Sequence, residues 1–441
     1  MKKTIFLFLI FLPLLLFAQH SQSSNKTASK GSGSAFGGKT EIDSVKYTEF
    51  RVIPEFKIWK LGIGLDLDFL LDHNYHLRKS DWDQLKDIPS KFYYIKYQKR
   101  GDPFYAQLGS LSGYGYSNGL VMMNYSNNRL FPDLKNTAFM AGGNPNILTK
   151  PSFEAMTSSI EKNQILAFNT HFKPVPDSTV KYLDRTVLGL TIATDRNQYG
   201  NLKYVASDSL YHAYKEKENA VTAFSFDYSL PVSKKREMTF GHYAEFSHIA
   251  GHGSGFIFPG FYGEYKFLKV NLEFRGYGPH YLPSFFDNRY EQTRAYQIGD
   301  SLVFTKEDML KGIKSSSGWF GKVQISIKKK FKTSVAWQDM YGKDLQTGKC
   351  YWFNFWMDTK YHRLEEVAFA YSKTNVPKME IDRIVAPSVD MSAKATVRVS
   401  KKRWFVIGSY SESYDDKNNN NKINYFKETR RSVAVGVKYV F

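Results

Sequence analysis

Along most of this chain apolar and polar side chains exchange places at every residue, the two-residue period of an extended strand with unlike faces. In the last segment Val433, Val435, Val437, Tyr439 and Phe441 share one face, while Ser432, Ala434, Gly436, Lys438 and Val440 share the other. Val389, Met391, Ala393, Ala395, Val397 and Val399 oppose Asp390, Ser392, Lys394, Thr396 and Arg398 in the same way. Tyr351, Phe353, Phe355, Met357 and Tyr361 oppose Trp352, Asn354, Trp356, Asp358 and Lys360. Trp319, Val323, Ile325 and Ile327 oppose Lys322, Gln324, Ser326 and Lys328. Each run is about ten residues long, the length of a strand that crosses a membrane at a tilt. A soluble sandwich shows the same alternation, so the pattern predicts strands without fixing what surrounds them.

Earlier in the chain the pattern predicts strands over Tyr47–Trp59 and Lys60–Asp72. In the second of these Gly62, Gly64, Asp66 and Asp68 share the polar face. Phe92–Arg100 and Phe104–Gly115 follow, joined at Gly101, Asp102 and Pro103, residues suited to a tight turn. Asn136–Gly142, Ser152–Ile160 and Ile165–Val175 alternate less clearly. Val187–Asp195, Val221–Val232, Met238–Ala250, Gly255–Phe267 and Leu268–Tyr281 are regular. The total is about sixteen strands, between 14 and 18. Counting every candidate gives an odd number, and single-chain barrels normally have an even one, so the region Asn136–Val175 is expected to hold the error. Ser110–Asn128 and Leu282–Ser317 break the alternation while carrying many large side chains. The first is expected either to fold into the barrel mouth or lumen or to form an irregular surface loop; the second reads as an ordered external loop.

Three further features bear on the environment. Lys2 and Lys3 precede an apolar run from Ile5 to Phe17 and then Ala18, which predicts a signal peptide over 1–18 and export. Residues 19–46 read as a flexible leader and 47–441 as the folded domain. No second apolar run is long enough for a membrane helix. The 42% hydrophobic content suits a soluble protein and a barrel equally, since only alternate residues of a membrane strand meet lipid. The 35 Phe, 30 Tyr and 7 Trp favour a barrel with aromatic girdles. In the second half, short connections near Lys234, Leu268, Lys330, Arg363 and Lys401 alternate with long ones such as Leu282–Ser317, Gly342–Lys349, Val376–Ser388 and Asp415–Tyr425. Outer-membrane barrels alternate short periplasmic turns with longer external loops in this manner. The expected fold is therefore an all-β, closed antiparallel transmembrane barrel.

The terminal Tyr439-Val440-Phe441, the string Leu61–Asp68 (LGIGLDLD), Gly101–Tyr105 (GDPFY) with Leu108-Gly109, and Thr194–Asn197 (TDRN) resemble outer-membrane β-barrel proteins of Bacteroidota. The resemblance runs from about Tyr47 to Phe441. It implies an outer-membrane location and recognition of the closing strand by the insertion machinery, and it supplies no catalytic residues.

Charge and candidate chemistry narrow the function. The net charge of +19 would suit nucleic acid, but export argues against that partner, and the basic residues read as solvated edges and lipid-headgroup contacts. Cys350 is the single cysteine, which leaves no disulfide, thiolate cluster or redox pair. No metal or cofactor site is expected. Asp415–Lys422 (DDKNNNNK) has Lys422 where a calcium loop would need its glycine turn. His248, His252 and Ser254 suggest a Ser-His pair at a rim, without an identifiable acid to orient it. The expected lumen residues are Asp66, Asp68, Glu273, Arg275, Lys322, Asp358, Lys360, Lys394 and Arg398. Lys322, Lys394, Arg398 and Arg275 are the candidate counter-charges to the two aspartates. Tyr114, Tyr116, Asn118 and Asn124 are the candidate plug residues. The leading expectation is a channel or uptake barrel for a small solute, without covalent chemistry. The alternatives are an enzyme acting on envelope lipid at the His248–Ser254 rim, or an assembly partner that binds another envelope protein through Leu282–Ser317.

Overall fold

In the computed structural model the alternating segments become strands that pair edge to edge, antiparallel throughout. The structure describes residues 31–440 apart from 43–44, 79–81, 83–86, 129–135, 176–181, 235–236, 299–301, 329, 343–348, 362, 377–388, 400–403 and 415–428. The expected signal peptide, Phe441 and the Asp415–Lys422 loop lie outside the described residues.

The wall begins with β1 (Gly31–Ile42), β2 (Val45–Ile58), β3 (Leu61–Leu65), β4 (Leu67–Leu71), β5 (Phe92–Tyr97), β6 (Tyr105–Gly109) and β7 (Ala138–Gly143). It continues through β8 (Ser152–Thr157), β9 (Ile165–Phe172), β10 (Val187–Asp195), β11 (Val221–Lys234), β12 (Met238–Ile249), β13 (Ser254–Tyr265) and β14 (Leu268–Tyr277). A separate hairpin, β15 (Ala295–Ile298) and β16 (Leu302–Thr305), interrupts it. The wall then resumes with β17 (Ser316–Ile327), β18 (Phe331–Tyr341), β19 (Lys349–Tyr361), β20 (Leu364–Val376), β21 (Val389–Arg398), β22 (Trp404–Tyr414) and β23 (Thr429–Val440).

The sheet contains 21 segments, but β3 and β4 both pair with β2 and form one strand broken at Asp66. Twenty-one less one leaves twenty wall strands. Closure comes from β1 and β23, which pair in register from Ser32↔Val440 to Ile42↔Arg430. A closed sheet leaves no edge with unpaired backbone groups, the condition for a strand wall to exist in lipid.

The strand number corrects the expected 14 to 18. All three weaker candidates are present, as β7, β8 and β9, so the odd count did not arise there. The missing strand is β1, GSGSAFGGKTEI, inside the segment read as a flexible leader. Glycine and serine give neither face an apolar character, so the two-residue period has nothing to reveal. The strand is held by backbone pairing with β23 and by one large apolar side chain, Phe36, which packs against Ile53, Ile407 and Ala434 and is too isolated in sequence to show a period.

The two faces of the wall differ as the alternation requires. Val433 and Val435 on β23, Phe226 on β11, Phe246 on β12 and Trp319 on β17 are exposed on the outer face. Trp404 and Tyr439 pack together at one end of it, with ring centroids 5.0 Å apart. The inner faces carry Glu49 and Arg51 on β2, Thr191 and Asp195 on β10, Ser225 on β11, Glu245 and Ser247 on β12, and Glu273 and Arg275 on β14, all buried. No helix among the described residues is long and apolar enough to cross a membrane.

Candidate functional site

Polar groups that point into the barrel must find partners there or meet water, because an unpaired buried charge is costly. On β2 and the broken strand this is met locally. Arg51 donates from Nε to Asp66 Oδ1 at 2.8 Å and from Nη2 to Oδ2 at 3.0 Å, and lies 3.6 Å from Glu49. Asp66 and Asp68 do share the inner face, both buried. The expected counter-charges are corrected by this geometry. Arg275 pairs with Glu273 two residues away on its own strand, Lys394 lies 3.2 Å from Glu366, and Arg398 meets Glu365. Antiparallel neighbours and same-face residues two apart are closer than strands across a wide barrel, so the nearest opposite charge takes each partner. Lys322 on β17 and Asp358 on β19 also face inward, Asp358 buried. Lys360 lies in β19, with its side chain outside the described residues.

The segment Ser110–Asn128 lies inside the barrel. Tyr114 and Tyr125 exchange backbone hydrogen bonds of 3.1 and 2.7 Å, folding it into a hairpin. Its tip turns at Ser117 and at Gly119, whose φ of 93° suits glycine. There it meets inward-facing wall residues from three strands. Ser117 Oγ donates to Asp227 Oδ2 at 2.7 Å and lies 2.9 Å from Thr191 Oγ1, while the Asn118 backbone N–H donates to Glu245 Oε2 at 3.0 Å. His171 Nε2 approaches the other oxygen of Asp227 at 3.3 Å. Of the expected plug residues, Tyr116 is buried, Asn118 docks through its backbone, and Tyr114 is half-buried beside Arg100 at 4.9 Å. Asn124 is exposed.

A second segment completes the plug. Leu282–Ser317, expected as an external loop, runs against the hairpin: Phe286 N–H donates to Val121 O at 3.1 Å and Met123 N–H to Phe286 O at 3.2 Å. Leu120, Val121, Met122, Tyr125, Leu282, Phe285, Phe286 and Tyr290 form one buried apolar cluster with inner-wall Met140, Ala193, Ala223 and Ile257. Apolar side chains within a polar-walled lumen hold the two segments together as a core.

Two arginines anchor this segment to the wall. Arg294, 1% exposed, donates to Gln164 Oε1 at 2.6 Å, Asn197 O at 2.8 Å and Glu291 Oε2 at 3.2 Å, and lies 3.5 Å from Asp195. Glu291 also accepts from Tyr125 OH at 2.5 Å, which joins the two plug segments. Burial raises the Glu291 carboxyl above its ordinary range, with Arg294 opposing. Arg289 donates to Tyr414 O at 2.9 Å and Val389 O at 3.1 Å, and pairs with Asp390 at 3.3 Å. The segment therefore reaches from β10 to β21 and β22. Lys306 pairs with Asp287 at 3.0 Å, and burial lowers its ammonium below the usual lysine range.

Among the described residues, nothing covers part of the inner wall on β18, β19 and β21. On β18, β19 and β21 the inward-facing Lys332, Asn354 and Ser392 are exposed, although their outward neighbours face the surroundings of the barrel. Water reaches this wall from within.

The rim histidines separate. His248 Nδ1 lies 2.9 Å from Ser254 Oγ, on the face opposite inward-facing Ser247 and Ile257, with its ring 5.5 Å from that of Phe224. His252 turns to Glu307, 2.9 Å away. Among the described residues no carboxylate reaches His248, so the contact is a Ser-His pair without its orienting acid. No group of His, Cys, Asp and Glu among the described residues could hold a metal ion.

The residues of the site that were not among the candidate lumen or plug residues are Arg51, Ser117, Asp227, Glu245, Glu291 and Arg294. Asp227 and Glu245 lie on the polar face of strands that were recognised, so strand parity could have found them. Arg294 lies in a segment with no period, and no local signal marks it.

No family model matches the chain, and no curated protein matches it. Among solved structures it is similar to Wzi of Escherichia coli, an outer membrane protein involved in group 1 capsule assembly and a carbohydrate-binding β-barrel, at 12% identity and a TM-score of 0.36, over 94% of this chain and 85% of that one. It is also similar to the ferric enterobactin receptor PfeA of Pseudomonas aeruginosa, at 8% identity and a TM-score of 0.40, over 95% and 81% of the two chains. The third is OccK2 of the same organism, at 8% identity and a TM-score of 0.33, over 94% and 96%. At these scores none of them bears on the chemistry of this chain.

Proposed function

We propose that this chain is an outer-membrane barrel that passes a small polar solute along the unfilled side of its lumen, without covalent chemistry. The observation that carries the reading is the water-exposed inner wall at Lys332, Asn354 and Ser392, beside a plug that covers the wall from β6 to β14 and touches β21 and β22 through Arg289. A closed wall of twenty strands is wider than side chains from the wall alone can fill. The plug narrows this lumen to one side and gives the remaining passage a fixed lining. The apolar outer face meets lipid, the closing strand ending at Phe441 engages the insertion machinery, and the loop end of the barrel is where an envelope protein would dock.

Planar-bilayer recording tests the reading. Purified protein with the heat-modifiable mobility of a folded barrel is expected to give stepwise ion currents. Folded protein that inserts and stays electrically silent would sink it.

A further inference from the structure

The unfilled wall has a chemistry of its own. Trp352 and Trp356 both point inward from β19, on either side of Asn354. Four residues along a strand separate them by about 13 Å. Their register partners on β20 are Ser372 for Trp352, Ala370 for Asn354 and Ala368 for Trp356. Side chains that small do not cover an indole. The Trp352 and Phe320 rings meet edge to face with centroids 6.1 Å apart, and Lys332 Nζ lies over the Trp356 ring, 5.8 Å from its centroid. Both tryptophans thus sit half-buried on a wall that water reaches, a costly place for a large apolar face unless a ligand covers it.

The surrounding groups say what would cover it. Ser334, Asn354, Ser372 and Ser392 offer hydroxyls and an amide at the level of the two rings. Of the carboxylates on this wall, Glu366 pairs with Lys394 and Asp390 with Arg289, while Asp358, the next inward residue after Trp356, is buried. Lys332 is the register partner of Trp356, and Lys322 lies in the lateral row of Trp352 through Ala336. Among the described residues neither lysine has a carboxylate partner. A ligand that suits this wall has flat apolar ring faces, hydroxyl edges and negative charge.

From this juxtaposition we propose that Trp352 and Trp356, with Lys322 and Lys332, form a luminal binding site for an acidic oligosaccharide. The apolar face of one sugar ring stacks on each indole, hydroxyls meet the serines and Asn354, and carboxylates meet the two lysines. The proposal rests on the reading of this wall as a solute path and names the class of solute.

The test compares a galacturonate tetramer with maltotetraose and with glutamate, by calorimetry on the detergent-solubilised barrel and by block of ion current in bilayers. The tetramer is expected to bind and to block current. Maltotetraose binds about tenfold more weakly, as expected for the loss of two partly screened ion pairs. Trp352→Ala with Trp356→Ala abolishes binding of both sugars, whereas Trp352→Phe with Trp356→Phe retains part of it and guards against a folding defect. Lys322→Gln with Lys332→Gln brings binding of the tetramer down to the level of maltotetraose. Equal binding of the two sugars, glutamate competing as well as the tetramer, or full binding by the folded alanine pair would each overturn the site. Binding without current would keep the site and overturn the channel. Current without binding or block would do the reverse.

Discussion

Two walls of the same barrel solve the problem of an inner face in opposite ways. From β6 to β14 the inner side chains are buried under a plug that supplies an apolar core and hydrogen-bonding partners, so that wall behaves like the interior of a soluble domain. On β18 to β21 the inner face carries serines, alanines, charged groups and the half-buried Trp352 and Trp356, and Lys332, Asn354 and Ser392 remain open to water. The strands themselves do not account for the difference, since both walls alternate with the same period. The lesson is that strand pattern fixes which face looks inward, while two irregular segments decide which part of that face is filled.

The comparison can be broken most forcefully at Arg294. Replacing it by alanine leaves Asp195 and Glu291 buried without their cation, at a cost of about 3–5 kcal/mol to the plugged side. Hydrogen exchange over 282–313 is expected to accelerate while exchange in β19 and β20 stays slow. Equal acceleration in both places would mean that the two walls are not independent.

A paired substitution sharpens the contrast. Ala223 on β11 is 1% exposed against the plug, while Ala370 on β20 is half-buried on the open wall. Ala223→Trp overpacks a filled region and is expected to cost about 1–3 kcal/mol in urea unfolding. Ala370→Trp is expected to stay within about 0.5 kcal/mol and to lower single-channel conductance instead. Similar destabilisation by both would contradict the contrast.

The smallest effect concerns pH. A carboxyl whose pKa is raised on folding holds its proton more tightly in the folded state, so stability is greatest in acid and falls as pH rises through and above the ordinary Glu range. Glu291→Gln is expected to flatten that slope in plug exchange measured across the range. An unchanged slope would assign it to another group.

Much of the wall was legible because the information is local: Ile63, Leu65 and Phe69 against Gly64, Asp66 and Asp68 declare two faces within eight residues. The placement of the plug was not. Ser117 finds Asp227 across 110 positions, and Tyr125 finds Glu291 across 166. Neither contact leaves a periodic trace in the chain. The pairing of Arg51 with Asp66 lay between, since both sit on recognised strands but the register that joins them depends on the turn at Trp59 and Lys60.

The joining of β1 to β23 also constrains how the barrel can form. These strands stand about as far apart in sequence as the described chain allows, so their ladder closes the longest loop in the molecule and has the highest contact order of any pairing in it. Every other neighbouring pair can zip as a hairpin or a local return. Until the last strand arrives, the glycine-serine ribbon presents a bare edge whose small side chains do little to prevent mispairing with another chain. Assembly must therefore shelter the first strand for the whole time the remainder of the wall is being laid down.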